Sequence, residues 1–234
     1  MKIIGRAALL LCFLTLSGLL YADDPVTVGS YDSGNCYPFI CNDSGTNVGP
    51  SIEYQQVFAS TAFTGTTTIN TITWYHYTVL PGDTLLGGTY NLSLGYANDG
   101  VNGLSSTLAS NWAGTETLVG SLYISPGGLS YGTSESASLV TPFTYDPTQG
   151  NLLLEIDVTN QDNVGEGSGN GYMWADYTGT ATSRAWCFTN VGCFGSTEGA
   201  LVTTFNASTP EPATLFLLGS GLLGLAGLRR KLIG

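Results

Sequence analysis

One pattern in the chain is typical of serine hydrolases, Gly-x-Ser-x-Gly at residues 128–132. In such enzymes it forms a sharp turn between a strand and a helix, so Ser130 would be the nucleophile. The base would be His76, the only histidine in the chain. However, no helical periodicity follows the pattern, and His76 lies in a strand-like run, WYHYT. We predict a protein without catalytic residues that is not an enzyme; the alternative, a secreted hydrolase, requires His76 close to Ser130 or a cleft with paired acids.

Two acids, Glu155 and Asp157, lie two residues apart in a predicted strand. Their side chains would therefore stand about 6.6–7 Å apart on one face of a sheet. Paired carboxyl groups at such spacings can hydrolyse glycosidic bonds. The even positions of 152–158 are all Leu, Ile or Val, which predicts that this set faces the core. The two acids are thus predicted to lie on the ordinary solvated face.

Several predicted turns carry oxygen ligands of the kind that Ca²⁺ prefers, although none has EF-hand spacing. Turn chemistry explains them without a metal, so we predict no cofactor, with one structural calcium ion as an alternative. The residues concerned are Asn42 and Asp43, Asn98 and Asp99, and Asp162, Asn163 and Glu166.

Aromatic residues are abundant, with 13 tyrosines and four tryptophans. Such rings can stack on sugars, which makes a glycan-binding module an alternative function. That alternative requires two or more tryptophans on one exposed face, whereas large aromatic side chains more often fill a core. The tryptophans are Trp74, Trp112, Trp174 and Trp186.

Short runs of alternating apolar and polar residues, separated by Pro, Gly, Asn and Asp, dominate the chain between its two ends. No segment there keeps a helical period, and no fixed repeat is present. Eight or more short strands predict an all-β fold, a β-sandwich of which the jelly roll is one form. The predicted strands cover residues 52–59, 69–77, 90–96, 117–124, 152–158, 172–177, 184–189 and 200–205.

The first 22 residues have the layout of a secretory signal peptide. Lys2 and Arg6 precede an apolar run over 7–20, and the sequence becomes polar after Ala22. The run is too short for a permanent membrane span. We therefore predict an exported domain over residues 23–207.

Four cysteines follow the predicted signal peptide, and three disulfide connectivities are possible. Export to an oxidising compartment favours disulfides over a zinc site, whose usual ligand spacing is also shorter. We favour the two local pairs, Cys36–Cys41 and Cys187–Cys193.

The charge of residues 23–209 is strongly asymmetric, with 16 acidic residues against one basic residue, Arg184, for a formal charge of −15. Such a surface repels nucleic acids and anionic lipids. We therefore predict no nucleic-acid partner.

The C-terminal segment 208–234 contains Pro-Glu-Pro, then 16 residues without charge over 213–228, then three basic residues. As a helix the apolar run would reach about 24 Å, and the basic side chains could extend it toward the ~30 Å of a bilayer core. We predict a transmembrane helix whose basic end faces the cytoplasm. The residues predicted to act in sorting or processing are Pro210, Glu211, Pro212, Arg229, Arg230 and Lys231.

This order of tripeptide, apolar span and basic tail closely resembles the PEP-CTERM sorting signal of exported bacterial proteins. The same region is also known as the ice-binding protein C-terminal domain, a label that carries no indication of ice binding here. The resemblance implies processing by an exosortase, a membrane-embedded cysteine-dependent enzyme. It also implies a bacterium with an outer membrane that makes extracellular polysaccharide. The strips YQQVF and ALVTTF further resemble those of other exported proteins of this class.

Together these features predict an exported, non-enzymatic surface or extracellular-matrix protein. The C-terminal helix would hold it in the inner membrane until processing, and extracellular polysaccharide would be a partner outside the cell.

Overall fold

The computed structural model describes residues 24–39, 42–43, 49–78, 85–124, 134–162 and 172–206. Residues Pro25–Asn206 form one compact unit. The predicted signal peptide and the segment 208–234, with its predicted helix and its sorting residues, lie outside the described residues. Within the described residues, no helix is both long enough and apolar enough to cross a membrane.

The described residues form fourteen strands and three short 3₁₀ turns, with no α-helix among them. The turns are Ser60–Ala62, Leu108–Asn111 and Pro147–Gln149. The strands are β1 (Val26–Val28), β2 (Ser33–Asn35), β3 (Asn42–Asp43), β4 (Gly49–Phe58), β5 (Thr67–Thr78), β6 (Gly87–Tyr96), β7 (Thr117–Ile124), β8 (Ser134–Tyr145), β9 (Leu152–Asp162), β10 (Tyr172–Asp176), β11 (Thr182–Phe188), β12 (Gly192–Thr197), β13 (Ala200–Leu201) and β14 (Thr203–Phe205).

The strands make two antiparallel sheets. Sheet A has the order β1-β14-β5-β10-β13, with β2 paired to β10 and β8 paired to β5. Sheet B has the order β12-β11-β4-β9-β6-β7, with β3 paired to β4. The prediction of an all-β, sandwich-type fold is therefore confirmed.

The main core lies between the sheets and follows the alternation in the sequence. In β9, the even positions Leu152, Leu154, Ile156 and Val158 are buried in this core, as predicted. Since successive side chains of a strand point to opposite faces, the odd positions of β9 face away from the other sheet.

A second apolar cluster covers part of the outer face of sheet B. Leu153 belongs to it, together with Leu104 and Leu108 from the segment 98–116. We call 98–116 the covering segment, because it runs from the end of β6 to the start of β7 and packs on sheet B. Leu153, the residue that breaks the alternation of β9, is thus apolar because this segment buries it.

The sandwich is closed on one side by β7 of sheet B and β8 of sheet A, which pack together. A Cβ on Gly120 of β7 would lie 3.4 Å from the backbone nitrogen of Val140 in β8. Gly120 therefore marks the place where the two strands approach each other, with room for a Cβ in ordinary contact.

The predicted disulfide Cys187–Cys193 is confirmed. The two residues face each other in the register of β11 and β12, so the bond crosses the hairpin between these strands. Cys36 is also disulfide-bonded; its predicted partner, Cys41, lies outside the described residues, so that pairing stays a prediction.

Removing the hairpin disulfide should have a moderate cost. Because a bond across a loop this short restricts the unfolded chain only modestly, we expect serine at both Cys187 and Cys193 to lower the free energy of unfolding by about 2 kcal/mol. Urea unfolding of the oxidised proteins measures the difference, with Val191→Ser as a control in the same hairpin. A double variant as stable as the wild type would contradict this expectation.

Candidate functional site

His76 is packed inside the fold and does not stand in an open cleft. It lies on β5, it is buried, and its Nε2 is 3.1 Å from Oε1 of Glu135. Ser130 and the whole segment 128–132 lie outside the described residues. The prediction that the protein is not an enzyme is therefore still a prediction.

Glu155 lies on the outer face of sheet B, as predicted, but the prediction of an ordinary solvated environment was wrong for it. Gln55 of β4 and Asn111 of the covering segment are both completely buried next to Glu155. Gln55 Nε2 donates to Glu155 Oε2 at 2.6 Å. Asn111 Nδ2 in turn donates to Gln55 Oε1 at 2.7 Å. Burial raises the pKa of Glu155 above its ordinary value, against the effect of the hydrogen bond from Gln55. Asp157, two residues further along, is exposed.

Glu53 extends this group of acids across the sheet, since it pairs in register with Asp157. Burial raises the pKa of Glu53 to about 7, and the charges of Glu155, Asp157 and Glu116 add to the effect. In the described residues, no group of three or more His, Cys, Asp or Glu side chains is arranged to hold a metal ion.

The raised pKa of Glu53 predicts that stability falls as the pH rises. The folded chain keeps this proton up to about pH 7, whereas the unfolded chain releases it near 4.5. Between these values the folded state binds more protons, so ionisation costs stability. Because solvent screens a partly exposed group, we expect a loss of only about 1 kcal/mol. Urea unfolding at pH 5 and pH 8 measures it, and Glu53→Gln should flatten the difference; an unchanged pH dependence in that variant would contradict the assignment.

The predicted oxygen-rich turns are placed in different parts of the fold. Asn42 and Asp43 form β3 and pair with β4, so they do not form a free loop. Asn98 and Asp99 begin the covering segment, and Asp162 ends β9. Asn163 and Glu166 lie outside the described residues, and a structural calcium ion stays a prediction.

The four tryptophans do not form a shared platform. Trp74 is completely buried in the main core, which excludes it from any exposed face. Trp174 lies on β10 of sheet A, where it contacts Tyr31 and Tyr77. Trp112 packs close to Gly95 of sheet B, and Trp186 lies on β11. A sugar-stacking face of several tryptophans, as the alternative function requires, is therefore not present among the described residues.

A cavity of about 530 Å³ lies beside β11, and we call it the arginine cavity. Its wall is formed by Asn102, Tyr177, Arg184, Trp186 and residues 196–198. These residues come from the covering segment, the turn after β10, β11 and β12 with the turn that follows it. The cavity thus collects residues that are far apart in the sequence.

The alternation of β11 aims Arg184 and Trp186 at this cavity. Ala185 and Cys187 point to the outer face of sheet B and belong to the second apolar cluster. Arg184 and Trp186 therefore point to the opposite side, where both contact the ring of Tyr37.

Two hydrogen bonds to the backbone of Gly199, one of them from a side chain, hold the turn after β12. Gly199 N donates to Asp176 O at 2.8 Å, and Asn35 Nδ2 donates to Gly199 O at 2.9 Å. Gly199 has a φ of +82°, and a Cβ there would lie 2.9 Å from the ring of Tyr177. Glycine is therefore required for both the backbone conformation and the space that the Tyr177 ring occupies.

The guanidinium of Arg184 is buried without a carboxylate partner. The residue is only 8% exposed. Its Nε donates to Glu198 O at 3.1 Å, and its Cζ lies 4.4 Å from the ring centroid of Trp186. Nη1 is buried and has no hydrogen-bond partner within the described residues, where His76–Glu135 is the only ion pair. Burial lowers the pKa of Arg184, but an arginine side chain remains charged in proteins.

Sequence reasoning missed this cavity, although one signal pointed to it. Arg184 is the only basic residue between 23 and 209. A single base among 16 acids would be expected to pair with one of them on the surface, whereas here it is buried against aromatic rings.

The chain carries a PEP-CTERM protein-sorting motif, since residues 208–231 match the model of that motif. This match confirms the resemblance predicted from the tripeptide, the apolar span and the basic tail, and it supports an exported protein sorted through an exosortase. The roles of the individual residues in this segment stay predictions. Neither the curated proteins nor the solved structures contain a match to the chain.

Proposed function

We propose that the protein is a non-enzymatic component of the cell surface or extracellular matrix of a bacterium with an outer membrane. The observation that carries this proposal is the sorting motif at 208–231, joined to an all-β body. A signal peptide over 1–22 would direct export, and a helix over 213–228 would hold the chain in the inner membrane. An exosortase would then process it near Pro210, Glu211 and Pro212, and the released sandwich needs no cofactor.

Peptide mass spectrometry of the native protein, in membrane and extracellular fractions, tests this proposal. We expect the extracellular form to begin near Asp23 and to lack the residues beyond about Pro212. Replacing Pro210, Glu211 and Pro212 with alanine should leave the full tail in the membrane fraction. Gln149→Ala, an exposed substitution outside the motif, should be processed as the wild type is. An intact tail through Lys231 with no released form in the wild type would show a permanently anchored protein and would contradict processing.

A second candidate function is glycan binding at the arginine cavity, and not on a face of several tryptophans, which is not present among the described residues. The cavity has the volume usual for ligand sites, and it combines an aromatic wall with several polar side chains. Extracellular polysaccharide is the partner that we infer for such a site, since the proposed matrix location would expose the sandwich to it. Titration of the full chain with oligosaccharides tests this candidate, and the choice of oligosaccharide follows from the chemistry of the cavity.

A further inference from the structure

We propose that the arginine cavity binds an acidic saccharide, whose carboxylate pairs with the guanidinium of Arg184. This inference rests on the second candidate function, glycan binding, and it specifies the class of glycan. It does not depend on how the C-terminal segment is processed.

The first reason is the uncompensated charge of Arg184. Burying a charged group is costly unless it is paired and hydrogen-bonded. Within the described residues this guanidinium has one hydrogen bond, from Nε to Glu198 O, and contacts with the rings of Tyr37 and Trp186. Ring contacts offset part of the cost of burial, but they leave the donor Nη1 without an acceptor. A ligand that brings a negative charge would remove that deficit.

The second reason is the kind of hydrogen-bonding group that is lacking. Nε1 of Trp186 is also buried without a partner in the described part of the chain, so two of the residues that line the cavity each carry a buried donor without an acceptor. A carboxylate only accepts hydrogen bonds, and its two oxygens suit the planar guanidinium. A neutral hydroxyl would supply an acceptor but would leave the buried charge without a counter-ion.

The rest of the wall suits a sugar ring. Tyr177 is 39% exposed, and its ring can pack against the C–H groups of a saccharide. Asn102, Ser196 and Thr197 line the same cavity and offer donors and acceptors for hydroxyl groups. The Trp186 ring already has Tyr37 and Phe194 stacked on it, with ring centroids 5.9 and 5.4 Å away, and the Arg184 guanidinium 4.4 Å from its centroid. Tyr177 therefore offers the ligand a more exposed aromatic surface.

The negative charge of the body does not prevent this binding. At physiological ionic strength the Debye length is about 8 Å, so the more distant exposed acids are largely screened. The buried guanidinium is screened much less. Glu198 is the acid that lines the cavity itself, and it is exposed. The charge of Glu198 should therefore weaken the binding of an anionic ligand and leave the binding of a neutral ligand unchanged.

The test uses calorimetric titration of the full chain with trisaccharides that contain glucuronate or galacturonate. The same trisaccharides with each carboxyl group reduced to an alcohol serve as matched neutral ligands. We expect the acidic forms to bind at least tenfold more tightly than the reduced forms. Equal affinity for the two forms would overturn the acidic-saccharide inference while leaving the glycan-binding candidate standing. No binding of either form would overturn both.

Two variants assign the effect to Arg184. The Arg184→Gln variant should no longer prefer the acidic trisaccharides, while its affinity for the reduced trisaccharides should change little. Glu198→Gln should raise the affinity for the acidic trisaccharides about twofold to fivefold, because it removes a negative charge from the cavity wall. Glu198→Gln changes an exposed side chain, so it gives a result even if Arg184→Gln does not fold. An acidic preference that is unchanged in Arg184→Gln would overturn the role of Arg184. One that is unchanged in Glu198→Gln would contradict the placement of the carboxylate in this cavity.

Discussion

Replacing Gln56 with alanine should lower the free energy of unfolding by about 3–5 kcal/mol. Gln56 lies on β4 of sheet B and is completely buried. Its Nε2 donates to Leu201 O at 2.7 Å and to Thr182 Oγ1 at 3.0 Å. Its Oε1 accepts from Tyr54 OH at 2.8 Å and from Leu201 N at 3.1 Å. Because Leu201 belongs to sheet A, the side chain joins the two sheets.

The large cost follows from the groups that the substitution leaves behind. Alanine would leave the hydroxyl group of Tyr54 without its acceptor in a buried space, and it would also open a cavity. It would remove one of two partners from Leu201 N and from Leu201 O, which keep Tyr54 OH at 3.3 Å and Thr203 Oγ1 at 2.9 Å. Urea unfolding followed by circular dichroism measures the loss. The control is Gln149→Ala, an exposed glutamine, which should change stability by less than about 0.5 kcal/mol. A loss below about 1 kcal/mol for Gln56→Ala would show that water or a rearranged partner replaces the amide.

Trp74→Ala should also cost about 3–5 kcal/mol, for a reason that involves packing and not hydrogen bonds. The ring is completely buried between the sheets and lies 5.0 Å from the ring of Phe39. Its Nε1 has no hydrogen-bond partner in the described residues. The loss therefore comes from the apolar surface and from the cavity that remains.

Trp74→Phe is the matched control for this interpretation. It keeps an aromatic ring in the core and removes the unpaired N–H, so we expect less than half the loss of Trp74→Ala. Circular dichroism during urea unfolding follows both variants without relying on the signal of the residue that is changed. Equal losses in the two variants would mean that the indole N–H makes an essential hydrogen bond.

Strand β9 is one that the sequence predicted well, because one of its faces is buried in the main core. The alternation in β9 works because its even positions face the main core and its odd positions face away from it. β8 does not show such a pattern, since only Ala137 and Tyr145 of its twelve residues are buried. Strand β8 forms because its backbone pairs with β5, and its Ser-rich and Thr-rich sequence does not indicate that pairing.

The arginine cavity was out of reach of sequence reasoning for a different reason. Its chemistry depends on contacts such as that between Arg184 and Tyr37, two residues that are far apart in the sequence. The covering segment that contributes Asn102 has no regular period, so its path over sheet B cannot be read from hydropathy. By contrast, the Cys187–Cys193 pair and the sorting motif are local, and the sequence was sufficient for both.

The closure of the sandwich at Gly120 bears on how this protein behaves when it accumulates. An open sheet edge can add a strand from another molecule and so begin a fibril. On the Gly120 side, β7 and β8 protect each other by packing together. On the opposite side, sheet B ends in β12, a strand of six residues that a disulfide fixes to β11 and that a register irregularity interrupts. Short, irregular and tethered edges are poor templates, so within the described residues neither edge of sheet B offers a long regular strand on which a second molecule could begin a fibril.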